Sequence, residues 1–206
     1  MPHDATVFVV DDHDGVRASL RAFLEAVGLH VADYASADVF LEQTTAERGD
    51  CILVDMRMPG MTGLELREEL TRRGSAVPVI IITGHADVSL AVKAMKAGAA
   101  DFIEKPYDND TLLDSVRRAL EVSGHARVQA EEAKAATGLI MLLTDRERDV
   151  LSRLVLGQSN KIVAHELGIS PRTVEVHRAR IQSKLQVRGL SDLVRIVHAA
   201  EMREPV

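Results

Sequence analysis

The sequence predicts an α/β unit followed by an all-α unit: a five-stranded, doubly wound parallel (βα)5 sheet, then a four-helix unit built on a helix-turn-helix. Three observations carry this. Short apolar runs alternate with helix-periodic segments five times across residues 6–122, which implies parallel strands joined by helices that cover both faces. Several of those runs end in a polar residue, at Asp11-Asp12, Asp55, Thr83 and Lys105. The last third changes character, with short helices broken at Gly157 and Gly168 and a third helix rich in arginine.

In order, Thr6–Asp11 reads as the first strand. Asp14–Val27 has helical spacing, with Val16, Leu20, Phe23, Leu24 and Val27 on one face, and Gly28 stops it. Val31–Tyr34 is a second strand, and Ser36 caps a helix expected to run to about Glu47. Cys51–Asp55 is continuously apolar up to its aspartate, as a buried parallel strand should be, and Pro59-Gly60 turns the chain beyond it. Gly63–Arg73 is a helix, Pro78–Thr83 a strand, Asp87–Ala97 a helix, Asp101–Glu104 a short strand, and Asp110–Val122 a helix. Residues 1–123 therefore form the first expected domain.

Residues 124–140 are rich in Ala, Glu and Lys with a sparse apolar stripe, and read as a linker, either partly helical or an extension of the preceding helix. In the expected second domain, 141–206, Thr144 and Glu147 fit a capping box, with Val150, Leu151, Leu154 and Val155 facing inward. Ser159 is expected to cap the helix Asn160–Leu167, with Ile162, Val163 and Leu167 inward. Ser170 caps a third helix with Pro171 at its first position, and Val174, Ile181 and Leu185 face its core. Ser191 is expected to cap a fourth helix reaching about Met202.

Composition narrows the class. Of 206 residues 46% are hydrophobic and only 3% aromatic, so the cores are aliphatic. The single cysteine, Cys51, excludes an intrachain disulfide. No signal peptide or membrane-spanning run is evident, and a soluble cytoplasmic protein is expected. The net charge of −6 is unevenly spread: residues 1–123 carry −9 and residues 124–206 carry +3, with +4 inside Ser170–Arg188. A basic helix on an otherwise acidic chain suggests contact with a polyanion.

The strand-end residues gain meaning together. In a doubly wound sheet, Asp11, Asp12, Asp55, Thr83 and Lys105 all lie at one edge. Three carboxylates there repel, and a hard cation such as Mg2+ relieves the repulsion. Asp55 can then stay ionised and attack phosphorus, while Lys105 neutralises charge on the phosphoryl oxygens and Thr83 donates a hydrogen bond. Each feature has a bland explanation taken singly: Asp-Asp caps a helix, Lys-Pro is a turn, Thr-Gly is a turn. Their joint placement at strand ends favours the chemical one.

These residues resemble the receiver domain of bacterial two-component response regulators, across residues 6–122. By that resemblance Asp11 and Asp12 are the acidic pair, Asp55 the phosphoacceptor, Thr83 the switch hydroxyl, Lys105 the lysine and Phe102 the switch aromatic. The Arg57 backbone carbonyl is implied as a metal ligand beside Asp11, Asp12 and Asp55. His13 stands where the family more often has an acidic or amide residue, which bears on the tuning of the metal site. Haloacid-dehalogenase-type phosphatases use similar parts, but they place a second Asp where this chain has Arg57, which cannot transfer protons at neutral pH. A switch is therefore expected, not a turnover enzyme.

The second half reads as a helix-turn-helix whose third helix enters the major groove. Its outward residues are Arg172, Thr173, Glu175, Val176, Arg178, Ala179 and Arg180. Arginines serve phosphates, Glu175 can accept from cytosine N4, and Val176 and Ala179 can touch a thymine methyl. Leu143-Thr-Asp-Arg-Glu147, Asn160-Lys161 and the run Ile169–Arg178 resemble the LuxR-type output domain, especially its FixJ branch. That resemblance adds Lys161 and Lys184 as expected contacts to the DNA backbone. A σ-factor DNA-reading domain is similar but lacks support from any polymerase-binding region upstream.

Both resemblances together imply a response regulator of the NarL/FixJ family. Its partners would be a sensor histidine kinase, double-stranded promoter DNA, a second copy of itself when phosphorylated, and RNA polymerase as a further candidate; no membrane partner is implied. Dimerisation is expected through the face made by the Asp87–Ala97 helix and the Asp101–Glu104 strand.

Overall fold

The computed structural model describes residues 5–44, 50–84 and 88–201. The chain divides into two compact units, Met1–Ala126 and Arg127–Val206.

The first unit is built on strands β1 (Thr6–Val10), β2 (His30–Tyr34), β3 (Cys51–Asp55), β4 (Val79–Thr83) and β5 (Asp101–Glu104). All pairings are parallel, in the order β2-β1-β3-β4-β5. The helices are α1 (Asp14–Ala26), α2 (Ala37–Gln43), α3 (Gly63–Arg72), α4 (Val88–Lys96) and α5 (Asn109–Met141).

The two-residue period of the strands sorts their side chains into two cores. Val7, Val9, Cys51, Leu53, Ile80 and Ile82 pack with Leu20 and Leu24 of α1 and Leu112 and Val116 of α5. Phe8, Val10, Ile52, Val54, Val79 and Ile81 pack on the other face with Phe40 of α2, Leu66 and Leu70 of α3 and Ala94 of α4. Burial on both faces is why these strands are continuously apolar. The few aromatics are concentrated: the rings of Phe8, Tyr34 and Phe40 meet edge-on with centroids 5.3–5.9 Å apart, a favoured geometry for their quadrupoles.

The second unit holds the C-terminal turns of α5 and helices α6 (Asp145–Val155), α7 (Asn160–Leu167), α8 (Pro171–Leu185) and α9 (Leu190–Glu201). Val150, Leu151, Leu154, Val163, Val174, Ile181, Leu185 and Leu193 form its core. Thr144 and Glu147 make the reciprocal capping box, and Ser170 accepts from the Thr173 amide with Pro171 behind it. Gly168 takes a left-handed conformation, φ 65°, at the turn between α7 and α8, where a residue with a Cβ would be strained.

Some expectations need correction. The segment 124–140 continues the preceding helix, as one of its two expected readings had it, and is helical throughout instead of in part, glycines included; the backbone hydrogen bonds of α5 override the weak local propensity of Gly124 and Gly138. Ser159 stands at the α7 N-cap but its side chain makes no capping bond. Ser191 lies inside α9, which already starts at Leu190. Ile162 points outward at 48% exposure, and Val27 is also exposed, because the buried stripe of each helix is narrower than its apolar sequence. Helix α2 ends at Gln43, where Thr44 turns extended, short of the expected Glu47; the expected ends of the α4 and α9 segments at Asp87 and Met202 lie outside the described residues.

Candidate functional site

In the sheet the chain passes from β1 outward to β2 and then returns to place β3 on the other side of β1. That reversal opens a crevice at the carboxyl ends of β1 and β3. Asp11 and Asp12 follow β1 and Asp55 ends β3, so both arrive at the crevice. Thr83 ends β4, beside Glu104 at the end of β5, and Lys105 follows one residue later.

The Lys105 ammonium joins the set. Its Nζ lies 2.7 Å from Asp55 Oδ1 and 3.0 Å from Asp11 Oδ2. Asp11 is 2% exposed and Asp55 9%. Burial pushes the Lys105 pKa down, but hydrogen bonds to Asp55 and Asp11, with their negative charge, outweigh it and raise the pKa above the ordinary lysine value. The other Asp55 oxygen accepts from the Arg57 amide at 2.7 Å. The Lys105 amide donates to the Thr83 carbonyl at 2.6 Å, tying the ends of β4 and β5 together. Thr83 is buried, at 1% exposure. Phe102 is half-buried and packs against the core beneath α3 and α4.

Among the described residues, Asp11, Asp12 and His13 bring one ligand atom each within 4.8 Å of one another. His13 Nδ1 lies 3.0 Å from Asp12 Oδ1, and the His13 amide donates to Asp11 Oδ1 at 2.8 Å. Two of the three donors are hard carboxylate oxygens and the third is the His13 imidazole, with Lys105 already holding positive charge between Asp11 and Asp55. That chemistry suits a hard divalent cation.

Two contributors are not legible in the sequence. Gly63 opens α3 so close to β3 that an added Cβ would stand 2.5 Å from the Asp55 carbonyl oxygen. Arg17, on α1, donates to the Asp11 carbonyl at 2.6 Å. Nothing in either local pattern announces it; only the packing of α1 and α3 beside the strand ends does.

In the second unit, Arg172, Glu175, Val176, Ala179 and Arg180 of α8 and Lys161 of α7 are exposed, while Thr173 and Arg178 are half-buried. Lys184 also has partners within the protein. Its ammonium lies 2.7 Å from Glu147 Oε2 and 3.2 Å from the Leu142 carbonyl. It ties α8 to the start of α6, with its side chain 36% exposed. The Lys184 hydrogen bond, together with the Thr144 amide, lowers the pKa of buried Glu147 to about 2.

The crevice and the helical unit match two families. Residues 7–117 match the response regulator receiver domain, and residues 141–197 match the LuxR family of bacterial regulatory proteins. The chain belongs to the two-component response regulators of the NarL/FixJ family and acts as a phosphorylation-dependent transcriptional regulator. It is 48% identical to the transcriptional regulatory protein FixJ of Azorhizobium caulinodans, covering 95% of this chain and 93% of that one. It is 43% identical to FixJ of Rhizobium meliloti, covering 95% and 96%. The solved response regulator StyR superposes with a TM-score of 0.84 at 42% identity, over 95% of this chain and 98% of the other. No described helix is long and apolar enough to cross a membrane.

Proposed function

We propose that Asp55 is the phosphoacceptor and that the crevice around it is the whole of the chemical apparatus. The observation that carries this is the Lys105 ammonium held between Asp55 and Asp11. An Asp55 oxygen attacks the phosphorus of a phosphohistidine on the partner kinase. The O–P bond forms, the N–P bond breaks, and its electron pair stays on the donor imidazole. Asp11, Asp12, Asp55 and the Arg57 carbonyl would hold Mg2+, which when bound supplies neutralising charge to the phosphoryl oxygens. Lys105 and Thr83 serve the same oxygens from the protein side. The protein takes up one phosphoryl group and is not a turnover enzyme.

The added phosphate carries about −1.5 to −2 of charge. It draws Thr83 and Lys105 toward it, and the bond between the Lys105 amide and the Thr83 carbonyl makes β4 and β5 move together. Phe102 turns inward with them, and the α4–β5 face changes shape to favour a homodimer. The exposed apolar residues Val88, Val92 and Met95 of α4 support that use of the face. The LuxR-type domain, taken as residues 141–206 after the helical segment 124–140, binds promoter DNA through α8. Arg172, Thr173, Glu175, Val176, Arg178, Ala179 and Arg180 meet the groove, with Lys161 on the backbone. RNA polymerase is the downstream partner, and the cytoplasm is the compartment where all of these meet.

The test is labelling by acetyl phosphate with Mg2+. Wild type is expected to label to one phosphoryl per chain and Asp55→Asn to none. Retained labelling in the variant means that another residue is the acceptor; phosphate release over many turnovers means an enzyme.

A further inference from the structure

We propose that Arg17 is a positioning residue for the acidic pair, setting the direction in which Asp12 is presented to a cation. The proposal rests on the Mg2+ reading of the crevice.

The backbone of Asp11 is fixed from two sides. Its amide donates to the Tyr34 carbonyl at 3.2 Å. Its carbonyl accepts from Arg17 Nη1 at 2.6 Å. Its carboxylate is held as well, by the His13 amide at one oxygen and Lys105 at the other. Asp12 has no such frame. Its only described partner is the exposed ring of His13.

The Asp11 carbonyl belongs to the peptide plane that leads into Asp12. A planar peptide leaves two soft rotations per residue. Holding that carbonyl restricts the rotation that swings the Asp12 Cα–Cβ bond. Arg17 therefore holds the peptide plane that leads into Asp12.

Arg17 is itself well anchored. Its side chain is only 12% exposed. Nε donates to Asp33 Oδ2 at 3.2 Å, and Nη2 pairs with Asp14. Asp33 sits on β2, so the guanidinium links an edge strand to the end of its interior neighbour β1. A planar fork with several donors can serve three acceptors at fixed angles, which an ammonium cannot. Groups that orient metal ligands without touching the metal typically change affinity by about 10–100-fold when removed.

Arg21 supplies the control. It sits one turn further along α1 and also pairs with Asp33, but has no contact with Asp11. It carries the same charge and the same anchor without the carbonyl bond.

The experiment is calorimetric Mg2+ titration of the unphosphorylated full chain, wild type against Arg17→Ala, Arg17→Lys and Arg21→Ala. Arg17→Ala is expected to weaken Mg2+ binding roughly tenfold, Arg17→Lys to restore only part of it, and Arg21→Ala to stay within about twofold. In acetyl phosphate labelling, Arg17→Ala is expected to raise the half-saturating Mg2+ concentration while the rate at saturating Mg2+ holds. Equal Mg2+ affinity in wild type and Arg17→Ala, or equal loss in Arg17→Ala and Arg21→Ala, overturns the proposal. Should Arg17→Ala not fold, Arg17→Lys decides: full wild-type affinity there also overturns it. Absence of Mg2+ binding in the wild type sinks instead the reading of the crevice itself.

Discussion

The Lys105 ammonium touches Asp55 at 2.7 Å and Asp11 at 3.0 Å, although the three residues are up to 94 positions apart in the chain. One cation thus spans the two carboxylates that flank the topological switch point. It sits where a phosphoryl oxygen would have to be neutralised, and its backbone is bonded to Thr83.

Lys105→Met should therefore slow acetyl phosphate labelling by about 10²-fold at saturating Mg2+, the usual scale for losing one charge-stabilising donor. Because the lysine pKa is raised above 10.5, its charge is intact at neutral pH. A raised folded pKa contributes stability that is complete below the unfolded value and lost as pH rises through the folded one. Wild type should lose receiver stability above about pH 10.5, and Lys105→Met should lack that alkaline loss. Equal alkaline unfolding profiles would remove Lys105 as its source.

Gly63→Ala tests the closeness of α3 to the strand that ends in Asp55. A Cβ 2.5 Å from the Asp55 carbonyl oxygen must displace backbone on one side or the other. Such overpacking costs about 1–3 kcal/mol. The expected outcome is a lower thermal midpoint together with slower labelling, since the displaced atom belongs to Asp55. A variant with wild-type labelling and midpoint would show that the loop yields freely.

Glu147→Gln tests the clamp between α6 and α8. A depressed carboxylate pKa stabilises the folded state fully above its unfolded value of 4.5, and that contribution is lost as pH falls toward about 2. Hydrogen-exchange protection across α6 and α8 in the full chain, taken relative to intrinsic amide exchange, should therefore fall between those two pH values in wild type. Glu147→Gln should weaken protection at neutral pH by roughly 1–3 kcal/mol and should be less sensitive to acid. Unchanged protection at neutral pH would mean the pair adds nothing.

Arg178→Ala and Lys184→Ala separate a DNA contact from an internal strut. Arg178→Ala should weaken promoter binding and lower the magnitude of the slope of log K against log salt by roughly 0.9. Lys184→Ala should leave the slope unchanged but loosen α8, because Glu147 is left buried without its cation. A reduced salt slope in Lys184→Ala would return that lysine to the phosphate contacts.

By itself the sequence determined much of the fold. Strand-length apolar runs ending in Asp11, Asp55, Thr83 and Lys105 are legible because burial on both faces demands continuous hydrophobicity and the edge releases that demand. The capping box at Thr144 and Glu147 and the turn at Gly168 are legible for a similar reason: their chemistry is local, settled within three or four residues. What only the tertiary structure decided is non-local. That Lys184 serves Glu147, that Arg17 grips the Asp11 carbonyl, and that Gly63 must lack a side chain all depend on which helix packs beside which strand. Hydrogen bonds and close contacts between distant segments leave no periodicity in the chain, because each is made by a single atom pair whose partner is chosen by packing.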